Sequence, residues 1–317
     1  MTSQSARTWH YRDFYQPPGS PPPSTEPLWL VVGNCQAEAV RLILDAVPGR
    51  PYRTARIPPV HELERSDLRH LDQLLRETAV LLCQPIRDDY RDLPVGTTQM
   101  ADRLPPGAKV LRWPVIRYAG LHPFQVIVRN PADRSVTPPP VPYHDLRTVT
   151  AALDGRSPDE GWDVDVSAEQ LRAVADASRD ELAKRERAYT DVGVSDLFQQ
   201  HGADAAHTIN HPGNGVLAGL VERLLRHQNV TLPVLPPSRT LLGSIHAPLD
   251  ARVLAALDID AAARPNWQAG QQTWTPDEVH AIQLRWYADN PDYLGLALER
   301  HAGTLDLLGM TRTGVAG

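Results

Sequence analysis

The chain has 317 residues, 42% of them hydrophobic, a formal net charge of −6 and a pI near 6.0. That length suits one large or two ordinary domains, and the composition can build a core. The acidic balance argues against nucleic acid as a partner, which calls for a basic face, and no apolar run reaches the ~18 residues of a membrane span.

Residues 1–27 read as a flexible arm ending in the Pro-rich "PPGSPPPSTEP", which favours extended polyproline-type backbone. With no apolar h-region in this stretch, no secretory signal is expected. From 28 to 130 strands and helices alternate. "LWLVVG" (28–33) reads as a buried strand, "QAEAVRLILDAV" (36–47) as an amphipathic helix and "YRTARI" (52–57) as a second strand. "HELERSDLRHLDQLLRET" (61–78) is helical, with Leu68, Leu71, Leu74 and Leu75 on one face. "AVLLCQPI" (79–86) and "KVLRWPVI" (109–116) are the third and fourth strands. This alternation predicts a parallel sheet of the doubly wound type.

The Pro-rich 130–145 reads as a loop or linker at the start of a helical part, 131–317, that completes a cleft, and no convincing strand is read after residue 150. Ser167 and Gln170 form a capping-box pattern before 168–189, and Pro212 falls in the first turn of a helix over 211–230. Thr275, Pro276 and Glu278 start another helix, and 294–310 is the last. The predicted fold class is α/β, mainly helical, with a small N-terminal Rossmann-like subdomain and a larger helical part.

Gly33-Asn34-Cys35-Gln36 sits where the first strand meets the first helix, the place where open α/β sheets bind ligands. Gly33 permits close approach of the backbone, and a cysteine at a helix N-terminus gains thiolate character from the dipole. Cys83 lies within an apolar strand and reads as core. Two cysteines are too few for a disulfide framework, so a reducing cytoplasm is the expected compartment. A metal is not expected: His207 and His211 are four apart, but Pro212 argues against a helix holding both, and there is no HExxH or paired-Cys spacing.

In chain order come "GNCQ" (33–36), "CQPI" (83–86), "LHPF" (121–124), "YHD" (143–145) and "TINHPGNGVL" (208–217). Together they resemble the WcbI family of capsular polysaccharide biosynthesis proteins, proposed acetyltransferases that bind coenzyme A. The resemblance covers residues 28 to about 225, with one departure: Phe124 follows the His-Pro pair where an acidic residue is more typical. It implies a mainly helical fold with a small α/β subdomain and a deep CoA cleft. It also implies an enzyme that moves acetyl from acetyl-CoA to a glycan or small-molecule hydroxyl.

On that reading Cys35 sits at the reacting centre, as nucleophile or as a polar neighbour of the thioester. His211 or His122 is the general base. Backbone N–H groups of Asn34–Gln36 with the Asn210 side chain form an oxyanion site. Gly33, Asn34, Gln36, Gln84, Arg87, Thr97, Thr98 and His144 are the candidate CoA contacts; Gln36 and Gln84 can also bond each other. Two rivals stand beside it, an esterase-type hydrolase with Cys35 as nucleophile and a non-catalytic CoA- or glycan-binding protein. A homo-oligomer is compatible with all three.

Overall fold

The computed structural model describes residues 3–17, 19 and 24–311. Its elements in chain order begin with two short helices, α1 (Ser3–His10) and α2 (Arg12–Tyr15). Then follow β1 (Leu28–Val32), α3 (Cys35–Asp45), β2 (Arg53–Thr54), α4 (Leu68–Glu77), β3 (Thr78–Cys83), α5 (Thr97–Ala101) and β4 (Lys109–Arg112). Next are β5 (Gln125–Val126), β6 (His144–Asp145), α6 (Leu146–Leu153), α7 (Ala168–Tyr189) and α8 (Phe198–His201). The chain continues through β7 (Ala206–Thr208), β8 (His211–Pro212), α9 (Asn214–His227), β9 (Ile245–His246) and α10 (Ala251–Ala256). It ends with β10 (Trp267–Ala269), β11 (Gln272–Trp274), α11 (Pro276–Asp289) and α12 (Asp292–Leu307). No described helix is long and apolar enough to cross a membrane.

Two compact units form, each discontinuous in sequence. The first takes residues 1–116, 182–198 and 213–242; the second takes 117–181, 199–212 and 243–317, with the division falling inside α7.

The first unit is built on a four-stranded parallel sheet in the order β2-β1-β3-β4. All five residues of β1 are buried, as expected of a strand covered on both faces. Leu28, Leu30 and Val32 share a core with Leu71, Leu74 and Leu75 of α4. α3 packs against α9, two helices whose Val40, Ile43, Leu44, Leu220 and Leu224 are buried. The N-terminal stretch is not a loose arm throughout. Phe14 is only 2% exposed in this same core, the Tyr15 hydroxyl donates to Asp67, and Arg7 pairs with Asp67. Part of the polyproline expectation, residues 18 and 20–23, lies outside the described residues.

Predicted boundaries shift where local bonding competes. The expected helix over 61–78 forms only from Leu68, after two 3-10 turns at Val60–Glu62 and Arg65–Asp67, and the second strand shrinks to two residues.

The second unit packs α6, α10, α11 and α12 around Phe124, Val126, Leu146, Val149, Val253, Tyr287 and Tyr293. It also contains strands that the sequence reading did not anticipate. These form three small antiparallel sheets: β5–β6, β7–β8 and β9–β10–β11. Pro212 belongs to β8, and the helix expected to hold it in its first turn begins at Asn214. The predicted capping box is present: Ser167 and Gln170 exchange bonds ahead of α7. The expected start at Thr275, Pro276 and Glu278 opens α11, and there Thr275 and Glu278 exchange bonds in the same way.

Candidate functional site

From β1 the chain winds to β2 on one side and then to β3 on the other, so the strand order reverses between β1 and β3. In doubly wound sheets the crevice beyond the carboxyl ends of two such strands is the ligand position, because the loops there diverge and leave it open. The segments following these two strands are Gly33–Cys35 and Gln84–Ile86.

Cys35 is the first residue of α3. Asn34 caps the helix, its side-chain oxygen accepting the Gln36 N–H at 2.9 Å. The Asn34 N–H in turn donates to Gln84 Oε1 at 2.8 Å. Gln84 Nε2 donates to Gln36 Oε1 at 3.0 Å, and Gln36 closes the set by exchanging two bonds with the Ile116 backbone. Gln36 and Gln84 therefore bond each other, the first of the two roles foreseen for them. Gln36 is 0% exposed, with both ends of its amide spent on protein. The pair clamps the β1 turn to the end of β3 and to the chain leaving β4. The expectation that their amides contact CoA gives way to this clamp.

Gly33 is explained by the same packing. A Cβ at this position would stand 2.6 Å from Gln84 Oε1, so the close approach that needs glycine is that of a side chain. Thr97 is likewise internal, its hydroxyl donating to the Gln84 carbonyl and accepting the Ile86 N–H. Thr98 and Arg87 are exposed, and Arg87 forms no ion pair among the described residues. The loop behind Arg87 carries left-handed backbone at Asp89, Arg91 and Asp92, a costly run for residues with a Cβ and one of the marks of a functional loop. Within this unit the turn borders a depression of only about 10 Å3, against Ile57, Pro58 and Pro59.

Cys35 is half-buried, and its thiol behaves differently from the sequence expectation. Burial pushes its pKa above the ordinary value. The backbone N–H groups of Cys35 and Gln36 work in the opposite direction, as the dipole argument requires, but desolvation is the larger effect. Cys35 is thus a thiol rather than a thiolate at neutral pH. The oxyanion proposal also narrows: the N–H groups of Asn34 and Gln36 are already spent, which leaves that of Cys35. Cys83 is 0% exposed in β3, with its pKa pushed up to about 12, so it is core.

The remaining predicted residues lie in the second unit. His144 is 1% exposed in β6. Its Nδ1 lies 2.6 Å from the Tyr287 hydroxyl, and its ring sits among Trp286, Tyr287 and Tyr293. Burial depresses its pKa to about 4. This is a packing histidine, and the expected cofactor contact has no surface to use. His122, 2% exposed, holds the Pro248 carbonyl through Nδ1 at 3.1 Å, and burial depresses it to about 3, far below what a general base near neutrality requires. It lines a cavity of about 440 Å3 within this unit. His211 in β8 is half-buried, depressed to about 4 by burial and then by His246, with a buried Nδ1 that has no partner. Asn210 Oδ1 accepts from the Tyr143 hydroxyl at 2.8 Å and from Thr208.

The residues that hold the turn from outside the motifs, the Ile116 backbone and Thr97 Oγ1, left no residue-type signal in the sequence, because they act through main chain or through a hydroxyl that reads as solvent-exposed.

Comparison with known proteins agrees with this architecture. No curated protein sequence matches the chain. A solved structure, described as WcbI, a novel polysaccharide biosynthesis enzyme, aligns with a TM-score of 0.74 at 18% identity. The alignment covers 90% of this chain and 99% of that one. It is described as the native protein without a disulfide bond between CoA and one of its cysteines. The sequence family of the polysaccharide biosynthesis enzyme WcbI matches residues 28–233, more than half of the chain and inclusive of every motif from "GNCQ" to "TINHPGNGVL". The chain belongs to the WcbI family of polysaccharide biosynthesis enzymes.

Proposed function

We propose that the protein is a CoA-dependent acyltransferase, with acetyl-CoA as donor and a saccharide hydroxyl as acceptor. The observation that carries this reading is Cys35: a half-buried thiol on the turn at the switch point of a parallel sheet, with its backbone held by the Gln36–Gln84 clamp. The solved relative's description pairs CoA with a cysteine. In this chain Cys35 is the cysteine able to take that place, because Cys83 is closed inside β3.

On this reading the reactive end of CoA lies at the Gly33–Gln36 turn. The acceptor oxygen attacks the acetyl carbon, the C–S bond breaks as the C–O bond forms, CoA leaves as the thiol, and the hydroxyl proton passes to a base. The raised pKa of Cys35 favours the neutral-neighbour role over the covalent nucleophile, since an activated nucleophile needs its thiolate. The Cys35 N–H is the donor left for the developing oxyanion. Arg87, exposed and without an ion pair, supplies the positive charge that CoA phosphates call for.

Calorimetric titration with CoA and acetyl-CoA is the test. Micromolar binding that weakens in Cys35→Ala supports the reading. Absence of binding at about millimolar ligand would sink it, and turnover of simple esters without CoA binding would put a hydrolase in its place. Full transfer activity in Cys35→Ala would exclude the covalent route while leaving the neighbour role standing.

A further inference from the structure

The cavity of about 440 Å3 in the second unit falls within the range of small-molecule sites, roughly 300–1,000 Å3. Its wall joins residues 121–125, 143–148 and 162–163 to a group from 248–283, the last of which lies beyond the family-matched stretch. Four buried atoms on that wall have no hydrogen-bond partner among the described residues: His122 Nε2, Gln125 Oε1, His280 Nε2 and Gln283 Oε1.

Gln283 Nε2 donates to the Tyr143 carbonyl at 2.8 Å, and His280 Nδ1 lies 2.8 Å from the Thr148 hydroxyl, so neither can turn away without breaking that bond. Gln125 is placed by its backbone, in β5 paired with β6. A buried polar atom needs a partner, and four on one wall are positions that a ligand rich in hydroxyl groups would satisfy. Two of the four are carbonyl oxygens, which can only accept, and hydroxyls are the donors that match them. Tyr143, stacked on Trp267, and the partly exposed Trp162 add the apolar faces that suit the C–H face of a sugar ring.

Two of the three arginines on the wall are ion-paired, and Asp277 there accepts from the Trp162 indole N–H without an ion pair among the described residues. Arg147 lies over Phe124 and Trp162 and is paired with Asp145 and Asp163; Arg252 is paired with Asp250 and Asp163. Arg264 differs. Its Nε donates to the Ala247 carbonyl at 2.9 Å, and among the described residues it meets no carboxylate at ion-pair distance. A half-buried guanidinium with no ion pair among the described residues, Asp204 being the acid whose charge reaches it, is a fitting partner for an anionic group on the ligand.

We propose that this cavity is a saccharide site for an acidic sugar. Ring hydroxyls donate to Gln125 Oε1 and Gln283 Oε1, His280 Nε2 takes a third, and Arg264 holds the anionic substituent. That the sugar is the acyl acceptor rests on the acyltransferase reading; that it binds here does not.

The test titrates the full chain, without CoA, with D-glucose, D-glucuronate and glucose 6-phosphate, followed by calorimetry and saturation-transfer NMR. The two acidic sugars separate a carboxylate from a phosphate ester as the anion. At least one is expected to bind about tenfold more tightly than glucose, with that preference lost in Arg264→Gln. Gln125→Leu is expected to weaken all three alike by about tenfold, with the melting temperature and CoA affinity as checks on the fold. If Gln125→Leu does not fold, Arg264→Gln carries the test alone. Equal binding of acidic and neutral sugars would overturn the role of Arg264. No binding of any sugar at about 10 mM, with CoA still bound, would overturn the site and leave the acyltransferase reading intact. Sugar binding without CoA binding would do the reverse.

Discussion

In the unit built on the parallel sheet, Gln36 and Gln84 are buried with both ends of each amide bonded to protein. In the second unit Gln125 and Gln283 are just as buried, yet each keeps a carbonyl oxygen without a partner, as do His144 and His280 at Nε2. The same residue type thus serves two purposes. A closed amide network fixes the shape of a turn, because every alternative conformation would strand a donor or acceptor. An open one presents its acceptors to whatever occupies the cavity, water or ligand. Rigidity around Cys35 and unsatisfied polarity around the cavity therefore express one rule applied in opposite directions.

Acid should expose the contrast most strongly. His122 and His144 stay neutral in the fold, at about 3 and about 4, against an ordinary value near 6.5, and burial is the main cause in both. Between those values the unfolded chain binds protons that the folded chain refuses, so stability rises with pH in this window and falls on acidification. Each group contributes about 1.4 kcal/mol per pH unit there, and the pair removes about 3 kcal/mol per unit between about pH 6 and pH 4. Hydrogen exchange followed from about pH 7 down to pH 5 should lose protection first around 121–128 and 143–153, while β1 and β3 hold. Simultaneous loss in both units would break the comparison.

Truncation gives a smaller but sharper test. Gln36→Ala leaves the Ile116 N–H and carbonyl and the Gln84 amide without their partner, at an expected cost of about 2–4 kcal/mol. Gln283→Ala removes one bond to Tyr143 on the wall of the cavity and should cost about 1–2 kcal/mol. Denaturant midpoints at constant m-value measure both. Equal costs would mean that Gln283 is as much a structural clamp as Gln36.

The first unit was legible because its signals are local. The apolar run of β1, the helical spacing of Val40, Ile43 and Leu44, and the turn between them lie within one short stretch, and the parallel sheet follows from their repetition. What escaped is long-range. Residues 182–198 return to the first unit after the excursion 117–181, and residues 213–242 after the shorter one 199–212, and a linear reading has no means of seeing a return. The β10–β11 hairpin did have a signal: "WQAGQQTW" alternates around Gly270, whose φ of 60° suits a tight turn. Helical patterns on either side outweighed it. At the site, Cys35 was found from its place at a strand-to-helix turn. The cavity residues Gln125, Arg264, His280 and Gln283 were not, because an unpartnered buried atom is a property of three-dimensional packing and leaves no spacing to read.

Thiol chemistry gives the finest test, and it bears on the site itself. The helix dipole and the adjacent N–H groups pull the Cys35 pKa down, and desolvation, the larger effect, pushes it up. With burial prevailing, alkylation of Cys35 by iodoacetamide at neutral pH should be slower than that of a free cysteine, and its rate should keep rising beyond about pH 9. Cys83 should stay silent in the native state throughout, its thiol being buried and pushed up to about 12. A rate that instead levels off below about pH 7 would mean that the dipole prevails and that Cys35 is a thiolate at rest, which would return the covalent route to first place. CoA occupying the turn should slow the reaction further in either case, because the ligand would stand between the reagent and the sulfur.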